Sequence, residues 1–180
     1  MTTKQRILDE ALTLFAEKGY GNVYVGQIAE AVGIKAPSLY KHYKSKQDIF
    51  NAILDEMKQR YDAQAEALNM NGNDATADAQ MFAGISEDAL VQMGIGLFMH
   101  FLHDDYASRF RKMLTIEQFH NPELSPLYTQ QYVDGPLSYQ AMMFTILTGE
   151  GILAGDDMNV MAIQFYAPIY MLLTLCDRHP

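Results

Sequence analysis

Apolar residues recur at helical spacing along most of the chain, and no segment alternates apolar and polar residues as a half-buried strand does. The spacing of Ile7, Ala11 and Phe15 predicts a first helix over residues 3–18. Gly19 follows at the position where a glycine commonly caps a helix. The pattern therefore predicts an all-α protein.

A second, short helix carries Ile28, Ala29 and Val32 on its apolar side, and Gly33 is expected to stop it with a turn. The helix spans only about two turns, so a change of direction is predicted close to residue 33.

Another short helix begins around Pro37, a residue favoured in the first turn of a helix. We expect Leu39, Tyr40 and Tyr43 to anchor this helix in the core. Ser45 then offers an N-cap for a long fourth helix.

Residues 69–80 lack periodicity and are predicted to form a loop or a frayed helix end. Ser86 is a predicted N-cap for a helix that runs to about His103. Further helices are predicted over residues 104–119, 124–134, 136–150 and 157–177.

The apolar run over residues 160–176 resembles a membrane span at first sight. It holds fewer than the roughly 20 residues that a span needs, and it contains Gln164 and Pro168. We therefore expect no membrane association, and instead a helix that is buried against its own domain and against another chain.

The cysteine content and the N-terminal residues indicate where in the cell the protein is expected to lie. The single cysteine, Cys176, cannot form an internal disulfide, and the N-terminus lacks the apolar core of a signal peptide. A cytoplasmic protein is expected.

Charge is divided unevenly along the chain, whose net charge is −9. The first 60 residues carry nine basic and seven acidic side chains, whereas the remainder carries four basic and fifteen acidic ones. Such an asymmetry favours contact between the N-terminal segment and a polyanion.

Two short helices joined by a glycine turn, the second exposing small and basic residues, are typical of a helix-turn-helix unit, here at about residues 24–43. Small side chains at Ala36 and Ser38 would let the backbone approach base edges. Four lysines, and no acidic residue between residues 31 and 47, would face phosphates. On the pattern alone, a DNA-binding unit and a purely structural helix pair remain equal alternatives.

A longer set of residues occurs at fixed spacing, in the order Arg6-Ile7-Leu8, Ala11, Leu14, Phe15, Gly19-Tyr20, Ile28 to Ile34, Ser38-Leu39-Tyr40, Tyr43 to Lys46 and Phe50. In this order it resembles the N-terminal domain of the TetR family of bacterial transcriptional regulators. The resemblance covers about residues 4–60, a third of the chain. It implies a DNA-binding domain over 1–60 and a helical effector-binding and dimerisation domain over 61–180.

By this resemblance, the turn and the start of the recognition helix read bases, and the positions that follow touch phosphates. The base-reading residues are then Lys35, Ala36, Pro37, Ser38 and Lys41, and the phosphate contacts are Tyr40, His42 and Lys46. The family commonly caps the second helix with Thr or Ser, where this chain has Val23, Tyr24 and Gly26. A cap and a phosphate contact are therefore expected to be missing.

The resemblance also implies a homodimer on a pseudo-palindromic double-stranded DNA operator, with the last two helices as the interface. The predicted interface residues are Met142, Met143, Ile146, Phe165, Ile169 and Leu172; the alternative is a plain core within one domain.

A small apolar effector is implied as well, with predicted contacts at Phe98, Met99, His103, Phe110, Met113 and Phe119. Most methionine and phenylalanine stripes are ordinary core, which is the alternative here.

His100 and His103 lie three residues apart and share a helix face, but no third ligand follows from the spacing, so no metal site and no cofactor are predicted. Signatures of phosphate-binding loops, dinucleotide folds and nucleophile elbows are absent from the sequence. The sequence predicts a ligand-responsive repressor and not an enzyme. The alternatives are an activator or ligand-independent regulator of the same fold, and a helical enzyme or metal-binding protein with a structural helix-turn-helix.

Overall fold

The computed structural model describes residues 1–72, 74–122 and 124–178, and over those residues the protein is all-α, without strands, as predicted. The helices are α1 Thr3–Lys18, α2 Val25–Val32, α3 Ala36–Leu39, α4 Lys46–Ala67, α5 Ala75–Gly84, α6 Glu87–His103, α7 Asp105–Glu117, α8 Ser125–Thr129, α9 Gly135–Gly149 and α10 Met158–Arg178. A π-helical segment, Gln130–Asp134, joins α8 to α9.

The chain forms two compact units. One consists of Met1–Tyr61 and Asp105–Ser125, and the other of Asp62–Asp104 and Pro126–Pro180. We call them the N-terminal unit and the C-terminal unit. The functional division at residues 60 and 61 stays a prediction, and α7 belongs to the N-terminal unit although it follows α6 in the chain.

In the N-terminal unit, α1 begins and ends where its sequence predicts. The Thr2 hydroxyl accepts a hydrogen bond from the Gln5 N–H (3.2 Å), and the Gln5 side chain accepts from the Thr2 N–H (2.9 Å), a reciprocal capping box. At the other end the Gly19 N–H donates to the Phe15 carbonyl at φ +80°. The apolar face of α1 is fully buried at Ile7 and Phe15.

Helix α7 packs on α1 and completes this unit. The Arg109 guanidinium donates to the Asp9 carbonyl oxygen (3.0 Å) and to the Thr13 hydroxyl (2.7 Å), and it pairs with the Asp9 carboxylate (2.8 Å). Phe110 and Met113, predicted to contact an effector, are 3% and 0% exposed in this unit, and their contact with an effector stays a prediction. The Arg109 contacts thus attach α7 to α1 in addition to the apolar packing.

The C-terminal unit has its core between α5 and α9, with Ala75, Ala79, Met143 and Leu147 at its centre. Met143, predicted to lie at a dimer interface, is only 2% exposed and is a core residue. It belongs to the same apolar cluster as Ala75 and Ala79 of α5.

The loop predicted over 69–80 is wrong from residue 75 onward, because α5 begins there. The Asp74 carboxylate accepts from the Thr76 N–H (2.9 Å) and caps the helix. Asp78, which is buried, accepts hydrogen bonds from the Gly72 N–H (2.9 Å) and the Tyr139 hydroxyl (2.7 Å). This carboxylate therefore ties the loop before α5 to α9.

A proline explains the π-helical segment. Pro136 has no N–H with which to reach the Tyr132 carbonyl four residues earlier. The Gly135 N–H bonds to the Gln130 carbonyl five residues back, and the Tyr166 hydroxyl of α10 donates to the Tyr132 carbonyl at 2.9 Å. A side chain of α10 thus satisfies a carbonyl at the point where the helix is interrupted.

Helix α10 is long and apolar enough to cross a membrane by length and composition, with a mean hydropathy of 1.4. One such helix is weak evidence for a membrane protein. Only 6% of its apolar window is buried in the single chain, and Phe165, Met171 and Leu172 are each about half exposed. These side chains are therefore exposed in the single chain, and their predicted burial against another chain stays a prediction.

Candidate DNA-binding site

The turn between α2 and α3 is built on Gly33, which has φ +75° and ψ +32°. This left-handed conformation suits glycine because it has no Cβ. The Gly33 N–H donates to the Glu30 carbonyl and the Ile34 N–H donates to the Ala29 carbonyl, both at 2.9 Å. The carbonyls at the end of α2 are thereby satisfied and the chain reverses into α3, which forms the predicted helix-turn-helix.

Two side chains, Leu39 and Tyr43, attach α3 to the core of the N-terminal unit. Leu39 is fully buried and Tyr43 is 6% exposed, whereas Tyr40 is 51% exposed. The prediction that Tyr40 anchors the helix is therefore wrong, because a residue one position after Leu39 points about 100° away from it. Its exposed phenol is compatible with the phosphate contact that the resemblance implies.

Seven of the eight residues assigned to DNA, all except Lys46, lie between residues 35 and 42. Lys35, Pro37, Tyr40, Lys41 and His42 are exposed, and Ala36 and Ser38 are half-buried. We call this set, residues 35–38 with 40–42, the recognition surface. It has lysines at both ends and small side chains in the middle, an arrangement that suits contact with phosphates around a closely approached groove. The individual contacts stay predictions.

Arg6 of α1 fixes the end of α2. Its guanidinium donates to the Val32 carbonyl at 2.5 Å. Because the last carbonyls of a helix have no partner within the helix, a cation there is favourable both as a donor and in the field of the helix. The recognition surface is therefore braced from α1.

Lys46, predicted to touch phosphate, uses its ammonium group inside the protein. The Nζ atom donates to the Tyr20 carbonyl (2.7 Å) and to the Val23 carbonyl (2.9 Å), and it lies 4.2 Å from the centre of the Tyr20 ring. Burial lowers the pKa of this lysine. Two of its three N–H donors are engaged, so its phosphate contact remains a prediction that would rest on the third.

The start of α2 lacks a side-chain cap from Tyr24, as the departure from the family pattern predicts. The Gln27 side chain accepts from the Tyr24 N–H at 2.8 Å, which satisfies one donor. The Tyr24 side chain itself is 72% exposed. The start of α2 therefore carries an exposed phenol on the same side of the turn as the missing cap.

A carboxylate from α7 holds the loop that precedes α2. Glu117 is 3% exposed, and its Oε1 atom accepts from the Tyr20 N–H at 2.8 Å. The Tyr20 hydroxyl donates to the Gln47 side chain at 2.9 Å. The contact of Glu117 with Tyr20 was not predictable from the sequence, because the two residues are 97 positions apart and no local pattern marks such a contact.

The predicted effector residues belong to two different units, with Phe110, Met113 and Phe119 in the N-terminal unit and the other three in the C-terminal unit. Phe98 is half-buried, and Met99 and His103 are exposed, all three on α6 of the C-terminal unit, whereas Phe119 of the N-terminal unit is 79% exposed. Within the described residues, no group of three or more His, Cys, Asp and Glu is arranged to hold a metal ion.

The predicted interface residues other than Met143 lie partly or largely at the surface of the C-terminal unit. Met142, Phe165 and Leu172 are 45–52% exposed, and Ile146 and Ile169 are half-buried. Phe165 packs edge-on against Phe144 of α9 at 5.9 Å between ring centres. Their role between two chains stays a prediction.

The bacterial regulatory proteins of the tetR family match this chain over residues 7–53. The biofilm operon icaADBC HTH-type negative transcriptional regulator IcaR of Staphylococcus aureus (strain Newman) is 40% identical over 70 residues, which is 39% of this chain and 36% of that protein. The chain thus spans about a third of the length of the curated relatives that it matches.

Two solved structures share the fold over nearly the whole chain. Salmonella enterica GusR is 22% identical with a TM-score of 0.62, over 98% of this chain and 87% of that one. A transcriptional regulator from Saccharomonospora viridis in complex with choline is 21% identical with a TM-score of 0.63, over 98% and 92%. At this identity the likeness shows the fold.

The fold and the exposed surface after Gly33 define a helix-turn-helix protein. Residues 7–53, which contain this helix-turn-helix, belong to the tetR family of bacterial regulatory proteins.

Proposed function

We propose that the protein is a DNA-binding transcriptional regulator that acts as a homodimer on a palindromic operator in the bacterial cytoplasm. The observation that carries the proposal is the recognition surface: seven residues held beyond a left-handed glycine turn, with exposed lysines and no acidic residue among them. Two such surfaces in a dimer would enter successive major grooves roughly 34 Å apart.

The dimer is supported by the exposed apolar side chains of α10. A helix that is apolar nearly all round, yet mostly exposed in one chain, exposes surface that soluble proteins usually cover. A second copy of the chain supplies that cover. On this view α10 is an interface helix and not a membrane span.

Repression is the mode of action that we favour, because the matched relative is a negative transcriptional regulator. A small-molecule effector is supported by the structural neighbour in complex with choline. An effector site and a DNA site on separate units would make the response allosteric. The chain is proposed to be a regulator and not an enzyme.

Selection of duplexes from random DNA by the purified protein tests the proposal, with the molecular mass of the protein recorded on the same sample. An inverted repeat enriched by a dimer is the expected result. Enrichment without symmetry, or by a monomer, would contradict the homodimer. No enrichment at low salt by a folded dimer would contradict DNA binding itself.

A further inference from the structure

A groove lies on the C-terminal unit between the π-helical segment and α10. It has a volume of about 160 Å³, and its walls include Tyr132, Leu137, Ile163, Tyr166 and Tyr170. It does not contain any of the predicted effector residues. Because pockets for drug-sized ligands start at roughly 300 Å³, it suits a small ligand or the head group of a larger one.

Two of the three tyrosines that line the groove use their hydroxyl groups in contacts with other residues, which leaves their rings as the groups available to a ligand. The Tyr170 hydroxyl is paired with the Tyr128 hydroxyl, and the Tyr166 hydroxyl donates to the Tyr132 carbonyl. The rings of Tyr166 and Tyr170 lie 6.1 Å apart at 38°. Aromatic faces attract cations through the negative charge of the π-system.

The charge of the unit points to the same ligand chemistry. Residues 62–104 and 126–180 hold twelve Asp and Glu side chains and one Lys or Arg side chain, Arg178. One of the carboxylates, Asp134, is exposed and follows Val133 of the groove wall in the chain. An anionic ligand would meet repulsion from this unit, whereas a cation would be attracted.

We propose that this groove binds an organic cation with an apolar body, such as a quaternary ammonium compound. The rings of Tyr132, Tyr166 and Tyr170 would contact the cationic head group, and Leu137 and Ile163 would contact its apolar part. The proposal rests on the proposed function in one respect: the cation is the effector of the regulator.

The groove lies beside most of the predicted interface residues of α10, and Ile169, three residues after Tyr166, borders it. Tyr166 and Tyr170 are four residues apart and therefore share one face of α10. Phe165 and Leu172 of the predicted interface lie on another face, since Phe165 and Tyr166 differ by about 100°. A dimer through Phe165 and Leu172 would leave the groove accessible.

Calorimetric titration with three ligands of one shape tests the charge preference. They are benzyltrimethylammonium, the neutral alcohol benzyldimethylcarbinol, and the carboxylate that has the same benzyl and dimethyl groups. The wild-type protein is expected to bind the cation most tightly and the anion least. Equal affinity for all three, or no binding of the cation, would overturn the proposal.

Three variants locate the site. Tyr166→Leu removes a ring and is expected to weaken binding of the cation roughly threefold to thirtyfold. Tyr166→Phe keeps the ring, loses the hydrogen bond to Tyr132, and is expected to bind about as well as wild type. Ala167→Phe fills the groove from an exposed position and is expected to abolish binding. Wild-type affinity in both Tyr166→Leu and Ala167→Phe would place the cation elsewhere and overturn the proposal.

Circular dichroism and molecular mass are recorded on each variant. They show whether weaker binding of the cation results from loss of helical structure or loss of the dimer. A groove variant that folds but becomes a monomer would assign the groove to the dimer interface, against the proposal.

The last measurement is the affinity of the protein for the selected operator, with and without the cation. If the cation binds but the affinity of the protein for the operator does not change, the cation is not the effector. If the protein does not bind DNA at all, the proposed function is overturned, but the titration with the cation still tests the groove.

Discussion

The ammonium group of Lys46 sits over the ring of Tyr20, 4.2 Å from its centre, and donates to the carbonyl oxygen of the same residue at 2.7 Å. The Lys46 side chain thus contacts both the backbone carbonyl and the aromatic ring of Tyr20, in the loop that precedes α2. Tyr20 in turn packs edge-on against Phe15 and Phe50, each at 5.2 Å between ring centres. Lys46 therefore connects the start of α4 to the aromatic core of the N-terminal unit.

Lys46→Ala is expected to lower the free energy of unfolding by about 1–3 kcal/mol, because two carbonyl oxygens lose a charged donor and the Tyr20 ring loses its cation. Urea unfolding followed by circular dichroism measures the effect. Lys41→Ala is the matched control: its side chain is exposed, so a change within about 0.5 kcal/mol is expected. Equal stability of the two variants would show that the contacts of Lys46 are not stabilising.

The Lys41→Ala variant also tests DNA binding without a large change in stability. Lys41 belongs to the recognition surface, so Lys41→Ala is expected to weaken operator binding and to reduce the slope of log affinity against log salt by roughly 1. Fluorescence anisotropy at several salt concentrations measures both quantities. An unchanged slope would show that Lys41 does not contact phosphate.

Local signals were sufficient for most of the helices. The Thr2 cap and Gly19 delimit α1, Gly33 ends α2, and the Ser45 hydroxyl accepts from the Asp48 N–H at 3.0 Å where α4 begins. Helix α5 escaped prediction because its cap, Asp74, stands in a polar stretch that also reads as a loop. Such caps and turn residues act within a few positions of the chain, which is why a sequence pattern finds them.

The candidate site was predictable only in part, for a different reason. The exposed residues around Gly33 follow from helical spacing, whereas the roles of Glu117, Phe110 and Met113 depend on packing of α7 against α1. That contact joins segments about a hundred residues apart. Neither periodicity nor charge in the sequence indicates which distant helix covers which face.

The buried Tyr43 and the half-buried Tyr139 are expected to respond oppositely to loss of the hydroxyl. The Tyr43 hydroxyl is buried without a hydrogen-bond partner among the described residues, so Tyr43→Phe is expected to leave stability unchanged or raise it by up to about 1 kcal/mol. The Tyr139 hydroxyl donates to the buried Asp78 carboxylate at 2.7 Å, so Tyr139→Phe is expected to cost about 1–3 kcal/mol. Urea unfolding of both variants checks this; destabilisation by Tyr43→Phe would reveal a partner for its hydroxyl.

Stability is expected to fall in alkaline solution. Burial, followed by the Glu56 carboxylate, raises the pKa of Tyr43 above its ordinary value of 10.0, and burial with the Asp78 hydrogen bond raises the pKa of Tyr139. Below pH 10.0 these phenols are neutral in both states; above it the unfolded chain releases the protons first, so stability is lost as the pH rises through the folded pKa.

Urea unfolding between about pH 8 and pH 11 measures this loss, which Tyr43→Phe is expected to reduce. The lowered pKa of Lys46 acts with the opposite sign, because the folded state releases that proton first as the pH approaches 10.5. The comparison of wild type with Tyr43→Phe cancels the lysine contribution. Equal loss in the two proteins would contradict the assignment to Tyr43.

The proposed dimer makes α10 the helix to disrupt. Leu172 is 45% exposed, so Leu172→Glu should leave the fold of the single chain intact while placing a charge in an apolar interface. A shift from dimer to monomer is expected in analytical ultracentrifugation, together with loss of binding to an inverted repeat. Leu90→Glu on α6 is the control, because Leu90 is 43% exposed and lies outside the predicted interface. A monomer from Leu90→Glu but not from Leu172→Glu would move the interface from α10 to α6, and with it the arrangement of the two recognition surfaces on DNA.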